Sequence, residues 1–239
     1  MRRDHGLSAN GDPADRTPRA PEPMNPTTAG EFVRAFYRYT SPKILTTLVV
    51  GLIGWRLVQG NWRPADLIAP LSILAFWPVL EWLIHAYLLH MKPFRLFGRT
   101  FDLKVGRTHR AHHADPADLR DITINKEVFP VVVPLLFVLA YGLLPTVELA
   151  TGALAMFFAL SLHYEFCHFI GHTTWAPPVE YYRRRQRMHR LHHYRNETLW
   201  WGVSTGLGDL LLGTAPDFRS VEKSPTVRDV HGRSPQESG

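Results

Sequence analysis

The chain of 239 residues has a single cysteine, Cys167. No intrachain disulfide framework can form, and cysteine-based zinc and iron–sulfur motifs are excluded. The N-terminus has no apolar core of the kind a cleavable signal peptide needs; it is charged and proline-rich. No nucleic-acid-binding motif accompanies the net charge of +6, so the basic balance does not point to DNA or RNA. Charge itself is missing from long stretches. Leu67 to Leu80, Val128 to Val147 and Leu149 to Leu162 contain no Asp, Glu, Lys or Arg. A mean hydropathy of −0.13 resembles that of a soluble protein only because the polar residues are concentrated at the two ends and in one central loop.

What is present reads as an all-α integral membrane protein with about four transmembrane helices. The first apolar run, Ile44 to Gln59, is interrupted only by Arg56, which is expected to snorkel from near a helix end. Pro130, Pro134 and Pro145 in the third run are tolerated by bilayer helices. The second and fourth runs fall short of the ~20 residues of a full crossing. Their helices are therefore expected to continue out of the bilayer, through Glu81 to His85 and His90 in one case and through Tyr164 to His172 in the other. Lys and Arg crowd 91–127 and the region after His172, whereas the turns near 60–66 and 145–148 hold only Arg63. The positive-inside rule then gives two hairpins, with both termini and a helical cap on the cytoplasmic side. Residues 1–30 and 215–239 are expected to be disordered tails around a domain at 31–214. The stretch 31–42 suits a short amphipathic helix at the membrane interface, with an ordinary surface helix as the alternative. Trp175, Trp200 and Trp201 suit an interfacial belt, with a roof over the lipid channel as the alternative; the Arg183–Arg185 and Arg187 run suits a membrane-facing flank, with a substrate-carboxylate site as the alternative.

Ten of the thirteen histidines fall into four groups. They are His85 with His90; His109 with His112 and His113; His168 with His172; and His189 with His192 and His193. An order of two then three follows each apolar hairpin arm. Spacings of three and four put side chains on one helix face, so each HxxHH can grip one or two metals. His85 and His90 differ, because five residues leave them about 140° apart on an ideal helix. Either the helix is distorted there or the two serve different metals. A lone histidine pair at a membrane boundary is ordinarily interfacial; four groups in one order are not. His163, His5 and His231 stand outside the pattern. Ten imidazoles are too many for one zinc ion, but they divide into two sets of about five, each leaving an octahedral position open.

The segments EWLIHAYLLH (81–90), HRAHH (109–113), YEFCHFIGH (164–172) and HRLHHYRNETLWWGVSTGLGDLLLGT (189–214) resemble the fatty acid hydroxylase/sterol desaturase superfamily of integral membrane di-iron oxygenases. The likeness runs over roughly residues 45–214 and is greatest to the fatty acid 2-hydroxylase pattern. It implies two iron ions (Fe2+/Fe3+, with zinc as a replacement) held by His85, His90, His109, His112, His113, His168, His172, His189, His192 and His193. It also implies molecular oxygen as co-substrate, an external electron donor or reductase, and a lipid substrate drawn from the bilayer. The haem-binding cytochrome domain often fused to sphingolipid-acting members is expected to be absent. The implied reaction is hydroxylation of a lipid C–H bond, a fatty acyl chain first of all; a desaturase or carotenoid hydroxylase using the same site is the alternative. Outside enzymes the alternative is a membrane metal-binding or transport protein. Glu81, Glu165 and Asn196 are expected to orient ligand histidines through their second ring nitrogens.

Overall fold

The computed structural model describes residues 26–120, 122–228 and 230. The expected N-terminal tail lies outside the described residues up to residue 25, as do His5 and His231.

A capping box starts the first helix, α1 (Ala29–Phe36). The Thr28 hydroxyl accepts from the Glu31 N–H, and the Glu31 carboxylate accepts from the Thr28 N–H, both at 3.3 Å. Its apolar residues recur at helical spacing, and Phe32, Ala35 and Phe36 bury against Leu119, Ile122, Phe169 and Ile170. The face assigned to the bilayer interface thus packs inside the protein.

Among the described residues, four helical segments are long and apolar enough to cross a membrane: Thr40–Gln59, Pro64–Leu89, Lys126–Leu143 and Val147–His172. They comprise α2 (Thr40–Gln59), α3 (Ile68–Leu83), α5 (Phe129–Leu143) and α6 (Val147–His172), with a 3-10 turn leading into α3 and another into α5. The longest, α6, packs against α2, α3 and α5 around Leu45, Leu52, Phe129, Leu154 and Phe158. Val50, Val58, Leu71, Val131 and Val138 stay exposed on the outer faces, as a lipid-facing surface requires. Arg56 does not snorkel: it forms a buried ion pair with Asp66 at 2.7 Å, because the turn after α2 brings that carboxylate back beneath it.

The second and fourth segments are each 26 residues long. At 1.5 Å per residue they exceed a ~30 Å hydrocarbon core by roughly two turns. Both overhanging ends carry histidines. Beyond α3 the chain winds as a π-helix over Ile84–Leu89, then forms a small hairpin of β1 (Phe94–Leu96) and β2 (Arg99–Phe101). Three further helices, α4 (Lys104–Ala114), α7 (Glu180–Tyr194) and the short α8 (Leu207–Leu211), complete the histidine-bearing end. The expected C-terminal tail is tied back over its first part: Ser224 N–H donates to the Arg195 carbonyl at 2.8 Å and Arg195 Nε to Val221 O at 2.6 Å.

Candidate metal centre

All ten patterned histidines converge, and they sort into two groups of five. One holds His85, His90, His109, His113 and His192; the other holds His112, His168, His172, His189 and His193. Within each group the candidate ligand nitrogens lie within 4.8 Å of one another. His163 belongs to neither; it sits beside Cys167 and the ring of Tyr181.

The π-helix resolves the spacing problem at His85 and His90. His90 N–H donates to the carbonyl of His85, five residues back, at 3.2 Å. This widened turn brings positions five apart onto one face, so both imidazoles enter the same group. His168 and His172 need no such device, being four apart on regular α6. Each HxxHH divides. His109 and His113 of α4 join the first group and His112 the second, while His189 and His193 of α7 join the second and His192 the first.

The hydrogen bonds decide where the lone pairs point. His85 Nδ1 meets Trp201 O at 2.5 Å, His172 Nδ1 meets Pro116 O at 2.9 Å, and His192 Nδ1 meets Leu199 O at 2.8 Å. Each Nδ1 must donate its proton, which leaves a bare lone pair at Nε2. Yet Nε2 of His172 faces Nε2 of both His112 (3.0 Å) and His189 (2.8 Å). Nε2 of His192 likewise faces those of His90 (3.3 Å) and His113 (3.2 Å). One lone pair cannot satisfy two neighbours in different directions, whereas a cation at the focus satisfies all of them. Bonds of about 2.1 Å place adjacent ligands of an octahedral ion about 3.0 Å apart, close to these separations. Buried His168 Nε2, without a hydrogen-bond partner, points the same way. The donor set fits two metal ions of the imidazole-binding kind.

Burial keeps these rings neutral, as ligands must be. It holds His109, His113, His189, His192 and His193 well below the usual histidine range, with neighbouring imidazoles adding to the effect. Burial also lowers His112 to about 4.

The three polar residues expected to support the histidines do other things. Glu81 accepts from the backbone N–H groups of Val203 and Ser204 and from the Ser204 hydroxyl. Glu165 accepts from Ser41 Oγ and Ile124 N, both at 2.6 Å. It stands three residues before His168, a Glu-x-x-His spacing otherwise typical of carboxylate-rich di-iron bundles, but its bonded oxygen is committed to these two donors. Asn196 accepts from Thr198 in a local turn. None of the three meets an imidazole. Their effect is indirect for the glutamates: Glu81 holds the loop that presents Trp201 O to His85, and Glu165 holds the strand of chain whose Ile122 backbone bonds His168. Asp209 reinforces the first loop by accepting from Trp201 N and Gly202 N, both at 2.8 Å. It lies inside a motif quoted above, so its position was marked although its role was not.

Trp201 does not form part of an interfacial belt. It is buried, with its ring 4.6 Å from His90 and 5.1 Å from His192. Trp200 is buried as well, and Arg185 turns inward against Gly206. Gly171 allows the two histidine helices to meet: a Cβ there would stand 2.6 Å from the His189 ring.

The profile of the fatty acid hydroxylase family matches residues 70–214, a span that holds all ten histidines. The chain belongs to the fatty acid hydroxylase family. Among relatives, it is 26% identical over 138 residues to the ceramide very long chain fatty acid hydroxylase SCS7 of Saccharomyces cerevisiae. That match covers 58% of this chain but only 35% of the yeast protein. The dihydroceramide fatty acyl 2-hydroxylases FAH1 and FAH2 of Arabidopsis thaliana are 22% and 26% identical, each match covering 81% of this chain and 79% of the relative. A solved structure of full-length scs7p, with only its hydroxylase domain visible, superposes with a TM-score of 0.62 at 23% identity. It covers 77% of this chain and 68% of that one, and it establishes a shared fold. As a hydroxylase-family member with four candidate membrane helices, the chain is a membrane protein whose histidine groups are compatible with metal.

Proposed function

We propose that this hydroxylase-family chain is an oxygen-dependent membrane oxidoreductase that hydroxylates a C–H bond of a lipid, foremost on a fatty acyl chain. Residues 31–214 form the working unit, as two hairpins with the histidine-bearing end and both termini on the cytoplasmic side. The observation that carries the reading is the convergence of ten histidines, all buried but the half-buried His90, into two sets of five. On this reading each group of five would hold one of two iron ions, which the spacing of its nitrogens supports. Iron bound there supplies the activation of molecular oxygen, with electrons from an external donor. In balance, R–H, O2, two electrons and two protons give R–OH and water.

The residues of the chain have five tasks in this reaction. Burial keeps the imidazoles neutral, and backbone carbonyls of Trp201, Pro116 and Leu199 fix three of them as Nε2 donors toward the metal. Five imidazoles around a six-coordinate ion would leave a position free for the reactant. Trp201 covers the first group and keeps water from it. An apolar cavity between α2, α3, α5 and α6, ending at Tyr164, aligns the chain to be oxidised. The homologues named as ceramide and dihydroceramide acyl hydroxylases support hydroxylation ahead of desaturation.

Two measurements on the purified protein and its host test this. Elemental analysis is expected to find about two iron ions per chain, with zinc as the replacement. Lipid mass spectrometry of a host with and without the gene is expected to show a species heavier by one oxygen. A metal-free, fully folded protein would end this reading, and a product lighter by two hydrogens would convert it to desaturation.

A further inference from the structure

Three cavities share walls, and the smallest of them, between the other two, reaches the histidines. The apolar one, about 170 Å³, is lined by Leu45, Trp77, Phe129, Leu136, Phe157 and Phe158 among others. The second, about 80 Å³, is bordered by His109, His112 and His168 and shares Leu89, Ile124 and Tyr164 with the first. The third, about 530 Å³, shares Thr108, Thr123, Ile124 and Asn125 with the second. It opens where α2 begins and where the turn at Lys126–Val128 enters α5, which is the entry level of two membrane spans.

The walls differ in character. Four cations, Arg38, Lys104, Arg120 and Lys126, line the third cavity, against one carboxylate, Glu127, among the described residues. Glu127 pairs with Lys104 at 3.3 Å, and Asp118 pairs with Arg120. Counting both pairs as neutral, Arg38 and Lys126 leave a surplus of positive charge. Cations along a membrane flank attract any anionic surface. These line a cavity that borders the histidine cavity, and that position gives them one more use. A lipid with its tail in the apolar cavity and its head in the basic one presents the carbons next to the head to His109, His112 and His168.

We infer that the lipid recognised at this site carries an anionic group, a carboxylate or a phosphate, held in the cavity lined by Arg38, Lys104, Arg120 and Lys126. The inference rests on the acyl hydroxylase reading and names its substrate class: an anionic acyl lipid, where the named relatives take ceramides. The cations bind the head, and the shared wall at Ile124 and Tyr164 fixes how far the chain slides past the histidines.

The test is lipid retention by the full-length protein in neutral detergent, read by native mass spectrometry. It compares palmitate with its methyl ester and phosphatidylglycerol with diacylglycerol. The anionic partner of each pair is expected to be retained roughly tenfold better at low salt, and less so at high salt. Preference confined to palmitate identifies a carboxylate source, and preference confined to phosphatidylglycerol a phosphate source. Arg38→Gln with Lys126→Gln is expected to bring the ratio to about twofold or less while retention of the neutral partner stays unchanged. Arg99→Gln, on the β-hairpin outside the cavity, is expected to leave the ratio alone. Equal retention of anionic and neutral lipid by the unaltered protein overturns the inference, as does an Arg99→Gln effect as large as that of the cavity variant. Anion preference without any hydroxylated product would overturn the proposed reaction alone; hydroxylation of ceramide without anion preference would overturn only the present inference.

Discussion

The two histidine-bearing halves, 81–113 and 164–193, carry the same order of two then three and solve the same problem differently. In the second half the pair is four apart, and a regular helix suffices. In the first it is five apart, and six residues of π-helix are needed to align it. The halves also depend on each other. The first group takes His192 from α7, and the second takes His112 from α4. Carbonyl support crosses too: Trp201, in the loop that follows the second half, serves His85, while Pro116, just after the first, serves His172. Neither half supplies a complete group of five alone.

Removing the crossed ligands breaks this comparison most severely. His192→Ala and His112→Ala are each expected to reduce hydroxylated product at least about 100-fold while leaving membrane insertion intact, read by lipid mass spectrometry and membrane fractionation. Product at wild-type level from either variant would remove that residue from the ligand set. Gly171→Ala comes next. Its methyl group has no room against the His189 ring, so overpacking is expected to cost about 1–3 kcal/mol in thermal stability and to deplete metal from the second group. Unchanged melting and metal content would contradict the close approach.

The carboxylates sharpen the comparison at smaller amplitude. Glu81→Gln is expected to weaken metal retention about tenfold at the first group, and Glu165→Gln at the second, measured by chelator competition. Each acts through a loop, so a loss from the opposite group would refute the assignment. Asn196→Ala is expected to change stability by less than about 1 kcal/mol and leave metal content unchanged, because its amide serves only a local turn.

Much of this was legible in the sequence. Apolar runs, three of them uncharged and one broken only by Arg56, marked four spans, and histidine spacing marked all ten convergent rings. Even the π-turn left a trace, as a 140° mismatch between His85 and His90 that a regular helix cannot absorb. The sorting of each HxxHH between two groups was not legible, because i+3 and i+4 partners share a face and only the packing of α4 against its neighbours separates them. The carbonyls of Trp201, Pro116 and Leu199 were invisible, since a backbone oxygen carries no residue identity. The glutamates therefore read, in the sequence, as the imidazole partners that the carbonyls are in the structure. Arg56 and Trp201 were misplaced for a related reason: a charge or an indole near a membrane boundary looks interfacial until its partner, Asp66 or His90, is brought beside it.

The crossing of the two halves is the central claim, and metal counts in paired variants test it directly. His112→Ala with His172→Ala removes two ligands from one group, although they come from different halves. His172→Ala with His192→Ala removes two from one half, but one from each group. Elemental analysis is expected to find about one ion per chain in the first pair and close to none in the second. One ion retained by the second pair and none by the first would contradict the crossed arrangement.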